Sequence, residues 1–127
     1  MNWVDYLDIN KELLKGHIDL LILSLLNSKD MYGYEIAKKI RLISDDSFEL
    51  KEGTLYLSLK RLEKNQFISS YWGNEKSAGG RRKYYKMNIL GNQNLKLKIK
   101  EWFFMRDIID SCLNISVVIK EDINVLD

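Results

Sequence analysis

The residues of this chain best suited to chemistry are cations set beside small or polar neighbours. Arg81, Arg82 and Lys83 follow directly on Gly79-Gly80. A backbone bare of side chains lets such cations approach a polyanion, either along its phosphates or in a minor groove. The glycine pair is not a nucleotide-binding loop, because the G-x-x-x-x-G-K-[ST] spacing that cradles phosphates is absent. Upstream, Leu55, Leu59 and Leu62 recur at helical spacing and define a buried face. Opposite them Thr54, Leu57, Ser58, Arg61 and Asn65 are expected to point outward, with Tyr56, Lys60 and Lys64 alongside. Thr54, Ser58 and Arg61 can hydrogen-bond base edges or phosphates, and an outward Leu57 has the apolar surface that meets a thymine methyl. Lys60 and Lys64 suit phosphates, which position a protein without specifying sequence. A scattered exposed leucine is the plainer account of Leu57.

The charge distribution supports the same surface. The formal net charge is only +2, yet residues 51–86 hold 9 Lys/Arg against 3 Asp/Glu, whereas residues 1–50 hold 6 against 9 and residues 87–127 hold 5 against 6. Cations concentrated on a near-neutral chain attract a polyanion at one face without general adhesion; a solvated lysine-rich face is the alternative. Catalytic chemistry is poorly supplied. With one histidine, His17, and one cysteine, Cys112, the chain cannot assemble a Cys/His zinc site or an internal disulfide, and any histidine-dependent triad would have to be built on His17. Neither enzyme activity nor a cofactor is expected. His17 borders the first apolar stripe and is expected to pack, with ligand contact as the alternative; Cys112 is expected to pack as a small hydrophobe.

These residues need elements to position them. At 127 residues the chain has room for one core, and 46% hydrophobic with 30% charged residues is a globular composition. The longest apolar run, Leu20 to Leu26, is interrupted by Ser24 and falls short of the roughly 20 residues that span a bilayer. The acidic, aromatic start lacks the basic segment of a secretory signal, so no membrane partner and a cytoplasmic location are expected. Leu14, Ile18, Leu21, Ile22 and Leu25 predict a helix over about residues 10–27. A second helix is expected over 32–42 with Ile36 and Ile40 inward, and a third over 52–65. Three short helices with brief connections fit a helix-turn-helix core. Residues 67–72 and 81–87 carry aromatic and β-branched clusters around a glycine-containing tip, a hairpin that would form a wing. Asn88 is expected to cap a last helix ending near Asn114, on the spacing of Leu95, Ile99, Trp102, Met105, Ile109 and Cys112. The fold class is thus mainly α with a small β-hairpin: a winged helix-turn-helix domain over 1–88, whose first helix also packs on the last, a dimerisation helix over 89–115, and a frayed tail over 116–127.

Tyr32-Gly-Tyr-Glu-Ile, Gly53-Thr-Leu-Tyr, Leu59-Lys-Arg-Leu-Glu-Lys and Gly79-Gly-Arg-Arg-Lys-Tyr-Tyr, taken in order and spacing, resemble the signature of PadR-type transcriptional regulators. The resemblance covers about residues 13–113. The single long helix after the wing, with Ser69-Ser-Tyr-Trp-Gly, is most similar to the short-tailed subfamily that includes a lactococcal multidrug-responsive repressor. It implies a winged-helix repressor of double-stranded operator DNA, dimerised through its last helix and released by a small molecule. Carried over residue by residue, it implies phosphate contacts at Tyr34 and Lys38, groove contacts at Thr54, Tyr56 and Ser58, and a wing contact from Gly80 through Arg81, Arg82 and Lys83. Leu57 stands where the family often has proline.

Apolar groups on more than one side of the last helix exceed what one small core covers. Ile99, Trp102, Phe103, Met105, Ile109 and Cys112 are therefore expected at a homodimer interface. Trp102 could wall a site for a small aromatic effector, with His17 as the further candidate contact. Arg106, one turn beyond Trp102 with Asp107 and Asp110 pointing elsewhere, would favour a neutral or anionic aromatic. The competing reading is a winged-helix protein-interaction module without operator binding.

Overall fold

The computed structural model describes residues 16–75 and 79–126. The element order is α1 (Ile18–Ser28), β1 (Met31–Tyr32), α2 (Gly33–Ile43), α3 (Glu52–Lys64), β2 (Ile68–Trp72), β3 (Lys83–Met87) and α4 (Ile89–Leu126). The predicted fold class is observed: helices with a small antiparallel sheet and a long last helix. Among the described residues the sheet holds three strands in the order β1-β3-β2, one more than the predicted hairpin. Tyr85 pairs with Met31 on one side and Ser70 on the other, and Tyr84 likewise stands between Tyr32 and Tyr71. The two-residue strand β1 is too short for an alternating pattern to announce it.

The first unit of the fold, residues 1–95, contains the core. Ile18, Ile22, Leu23 and Leu26 of α1, Ile36 and Ile40 of α2, and Leu55, Leu59 and Leu62 of α3 are buried with Met31, Ile68 and Tyr85 of the sheet. The α1 stripe is rotated from its expected setting: Leu23 and Leu26 are buried, whereas Leu21 and Leu25 are only partly covered. The predicted start of this helix, together with Leu14, lies outside the described residues, and His17 precedes the first helical residue.

Two helices end in left-handed residues that are not glycine. At α3, Gln66 has φ 63°. The Phe67 N–H donates to the Leu62 carbonyl and the Gln66 N–H to that of Glu63, both at 3.0 Å, which is the Schellman arrangement. Asp45, at φ 55°, closes α2 with the same pair of bonds, Asp46 to Arg41 and Asp45 to Leu42. These closures turn the chain sharply and fix where α3 hands over to the wing.

The Asn88 side chain, expected to cap α4, reaches back to that junction. Its Nδ2 donates to the Gln66 carbonyl at 3.2 Å, and its Oδ1 accepts from Ser69 Oγ at 3.0 Å. The Asn88 N–H also donates to the Phe67 carbonyl at 2.9 Å. Gly91 belongs to the same joint: a Cβ there would sit 2.0 Å from the Phe67 carbonyl oxygen. Gly91→Ala must push backbone against backbone. It is expected to lower stability by about 3 kcal/mol, at the upper end for overpacking, read as a lower urea midpoint at unchanged m-value.

The second unit is the remainder of α4, from Lys96 onward. The tail expected to fray over 116–127 is helical through Leu126, so the helix runs well past Asn114. The reason is that nothing stops it. The chain has no proline, and no glycine follows Gly91, so each added residue gains a hydrogen bond at little steric cost. Among the described residues, no helix is long and apolar enough to cross a membrane.

Candidate nucleic-acid interface

Helix α3 presents its outward face as Tyr56, Leu57, Lys60, Arg61 and Lys64, all exposed. Leu57 is 65% exposed, an apolar group held in solvent at the centre of a polar face. Thr54 is half-buried. Ser58 is corrected: it is only 3% exposed. It stands three residues after Leu55 and four before Leu62, so helical rotation carries it with the leucines. A base-edge contact from Ser58 is excluded in this conformation. Arg61 is exposed, but its Nη2 is 2.5 Å from Asp19 Oδ1 of α1, which engages it as a brace between helices. Lys60 Nζ lies 5.6 Å from the centre of the Tyr56 ring one turn earlier.

Helix α2 adds Tyr34 and Lys38, both exposed and one turn apart, with Arg41 beyond them. Gly33 to Ile43 forms this helix directly after β1, and the pairing of β1 with β3 sets its start beside the wing.

The wing strands bring Arg81, Arg82 and Lys83 to the same unit, but each is already held. Arg81 Nε donates to the Gly73 carbonyl at 2.7 Å, and the Gly73 N–H donates to the Arg82 carbonyl at 2.7 Å, closing the hairpin across its base. The Arg82 guanidinium lies 4.6 Å above the Tyr32 ring, and Lys83 Nζ lies 5.8 Å from that of Tyr85. Gly80 is exposed at φ 85°, in the left-handed region that favours glycine. Residues 76–78 of the predicted tip lie outside the described residues.

Sequence reasoning missed the aromatic row that supports this wing. Tyr84 stacks on Tyr71 at 5.6 Å between centroids and meets Tyr32 edge-on at 5.5 Å. The Tyr71 hydroxyl donates to Asp30 Oδ2 at 2.6 Å, which pushes its pKa up to about 12. The Tyr84 hydroxyl donates to Glu75, holding that carboxyl below its ordinary value while the Tyr84 phenol is itself pushed up. Only the recurrence of tyrosines at 32, 71 and 84 hinted at the row, because the register that aligns them depends on β1.

The lowered Glu75 pKa gives a sign for pH dependence. Its contribution to stability is present above the unfolded value of 4.5 and is lost as pH falls through the lower folded value. Wild type should therefore lose wing order on acidification below about 4.5, and Tyr84→Phe should remove that part of the pH dependence. Exchange of wing amides followed against pH checks it.

The predicted effector and dimer residues occupy known places. His17 is half-buried at the start of α1, where its carbonyl accepts from the Leu21 N–H at 3.0 Å. On α4, Ile99, Trp102, Phe103, Met105, Ile109 and Cys112 are all exposed. Arg106 stacks over Phe103 at 4.6 Å and Trp102 at 5.6 Å. Its Nη2 is also 3.1 Å from Asp107 Oδ1. The expectation that Asp107 points elsewhere is corrected: adjacent side chains met around the helix, and the neighbouring carboxylate offsets the charge that would have favoured an anion.

Among the described residues, no group of histidine, cysteine and carboxylate side chains could hold a metal ion. An exposed polar and cationic helix face beside a tethered two-armed hairpin is the arrangement of a winged helix-turn-helix protein. The chain belongs to the Transcriptional regulator PadR-like family, whose model matches residues 22–97. A transcriptional regulator from Clostridium thermocellum is similar at 41% identity with a TM-score of 0.72, covering 79% of this chain and 96% of that one. A PadR family transcription regulator from Clostridium difficile is 49% identical with a TM-score of 0.67, covering 76% of this chain and 98% of that one. Bacillus subtilis PadR, solved in complex with operator DNA, is 23% identical with a TM-score of 0.58 and covers 65% of this chain and 46% of that one; this likeness is one of fold.

Proposed function

We propose that this protein is a cytoplasmic, homodimeric repressor that binds double-stranded operator DNA through α3 and the wing and is released by a small aromatic molecule. The observation that carries the DNA reading is the outward face of α3, where an exposed Leu57 lies among Tyr56, Lys60 and Lys64. Lys38, Lys60, Lys64 and the wing cations supply phosphate contacts; Leu57 and Thr54 supply base-edge contacts. Gly80 lets the wing backbone approach the duplex. Ser58 takes no part, and Arg61 reaches DNA only by leaving Asp19.

Dimerisation rests on α4. Trp102, Met105, Ile109 and Cys112 make a stripe at helical spacing that continues through Ile115 and Ile119, and an exposed stripe of this length calls for a partner surface. A second copy of the same helix is the partner in this reading, with Trp102 walling a site for the aromatic effector and His17 a further contact. The paired Arg106 no longer argues for an anion there. The short-tailed, multidrug-responsive subfamily is the part of the family with which this reading agrees.

Selection of binding sites from random duplexes tests it. Enrichment of an inverted repeat with half-sites about one helical turn, roughly 34 Å, apart is expected from a two-fold dimer. A protein that enriches no duplex, yet captures a folded protein partner through α3, would replace this reading with that of an interaction module.

A further inference from the structure

We propose that the cleft between α2, α3 and β3 is a binding site for a planar aromatic anion, separate from any site on α4. The cleft lies wholly within residues 32–85 and encloses about 540 Å³. That volume falls within the roughly 300–1,000 Å³ of small-molecule sites.

Its construction is more than a phosphate contact needs. Ala37, Leu50, Leu55 and Leu59 line it with apolar surface, although a phosphate oxygen gains nothing from an apolar lining. Tyr32, Tyr34, Tyr56 and Tyr85 add aromatic surface, which favours a flat ring over a sugar or an aliphatic chain. The cations stand beside those rings: Arg82 lies over Tyr32 and Lys83 near Tyr85. A ligand with a ring and an anionic substituent close together meets both features at once. Lys38 and Arg41 also line the cleft, as do Glu49 and Glu52. Arg41 is partly engaged by Asp46 at 3.6 Å, so Lys38, Arg82 and Lys83 are the cations that offset the two acids.

Of these residues Lys38, Arg82 and Lys83 are also cations that the proposed function assigns to DNA. Resting on that reading, a ligand in the cleft and a duplex on the same face exclude one another. Induction through this site is then direct competition and requires no change in α4.

The test uses anilinonaphthalene sulfonate as the aromatic anion and phenylnaphthylamine as its uncharged counterpart, each titrated by fluorescence. Ala37→Phe, which fills the cleft, should weaken both dyes by about tenfold or more, the equivalent of about 1.4 kcal/mol. Arg82→Ala with Lys83→Ala, at an exposed and a half-buried position with folding checked by circular dichroism, should weaken the sulfonate by a similar factor and leave the uncharged dye unchanged. Duplex DNA should displace the sulfonate from wild type. Sulfonate binding that survives both sets of substitutions but falls in Trp102→Ala places the dye on α4 and overturns the proposal. If Ala37→Phe does not fold, equal weakening of both dyes, or of neither, by the double substitution overturns it. Dye binding with the expected variant pattern but no affinity for any duplex upholds the cleft and refutes the DNA reading.

Discussion

Replacing Ile109 by Glu is expected to convert the proposed dimer to a monomer at micromolar concentration, raising the dissociation constant at least about 100-fold. The size follows from two contributions. Burying an isoleucine side chain contributes about 1.5–3 kcal/mol, and a carboxylate confined in an apolar interface adds a desolvation cost. Two symmetry-related copies of the change double both, so about 2.7 kcal/mol, the equivalent of 100-fold, is a lower bound. Ile109 is 51% exposed in the single chain, so its loss should leave the core of residues 1–95 intact. Sedimentation across a concentration series reads the change. A wild-type protein that sediments as a monomer, or an Ile109→Glu variant that remains dimeric, would remove α4 as the dimer element.

The second large effect concerns DNA. Lys60→Ala with Lys64→Ala should weaken binding to unrelated duplexes alike and reduce the slope of log affinity against log salt by about 0.9 for each phosphate no longer neutralised. Leu57→Ala should act differently, reordering preference among duplexes with little change of slope, because an apolar base contact releases no counterion. Arg81→Ala is a poorer probe than its place in the sequence suggests. Its Nε closes the hairpin on the Gly73 carbonyl, so its removal disturbs the wing as well as any phosphate contact. Electrophoretic or fluorescence titrations at several salt concentrations separate these cases, and a double lysine variant with an unchanged slope would take α3 off the DNA.

Much of this surface was legible in the chain. The spacing of Leu55, Leu59 and Leu62 set the inward face of α3, and with it the exposure of Leu57, Lys60 and Lys64. Ser58 is less legible: a serine invites a polar role, but its position between Leu55 and Leu62 buries it. Helix ends were less readable. Gln66 and Asp45 adopt left-handed conformations that sequence would assign to glycine, and α4 continues past Asn114 because no breaker interrupts it. Pairings between distant segments left the weakest trace. Neither the Asp19–Arg61 brace nor the Tyr32–Tyr84–Tyr71 row follows from local spacing, since each depends on which elements the core brings together.

Binding of duplex DNA by the cationic face of α3 and the wing is the central claim of the proposed function. Its most direct test is the affinity of the unaltered protein for a duplex bearing the selected inverted repeat, compared with a scrambled duplex over a range of salt. Tighter binding to the repeat is expected, with two chains per duplex and a steep fall in affinity for both duplexes as salt rises. No binding to either duplex at low salt, or binding indifferent to salt, would contradict it.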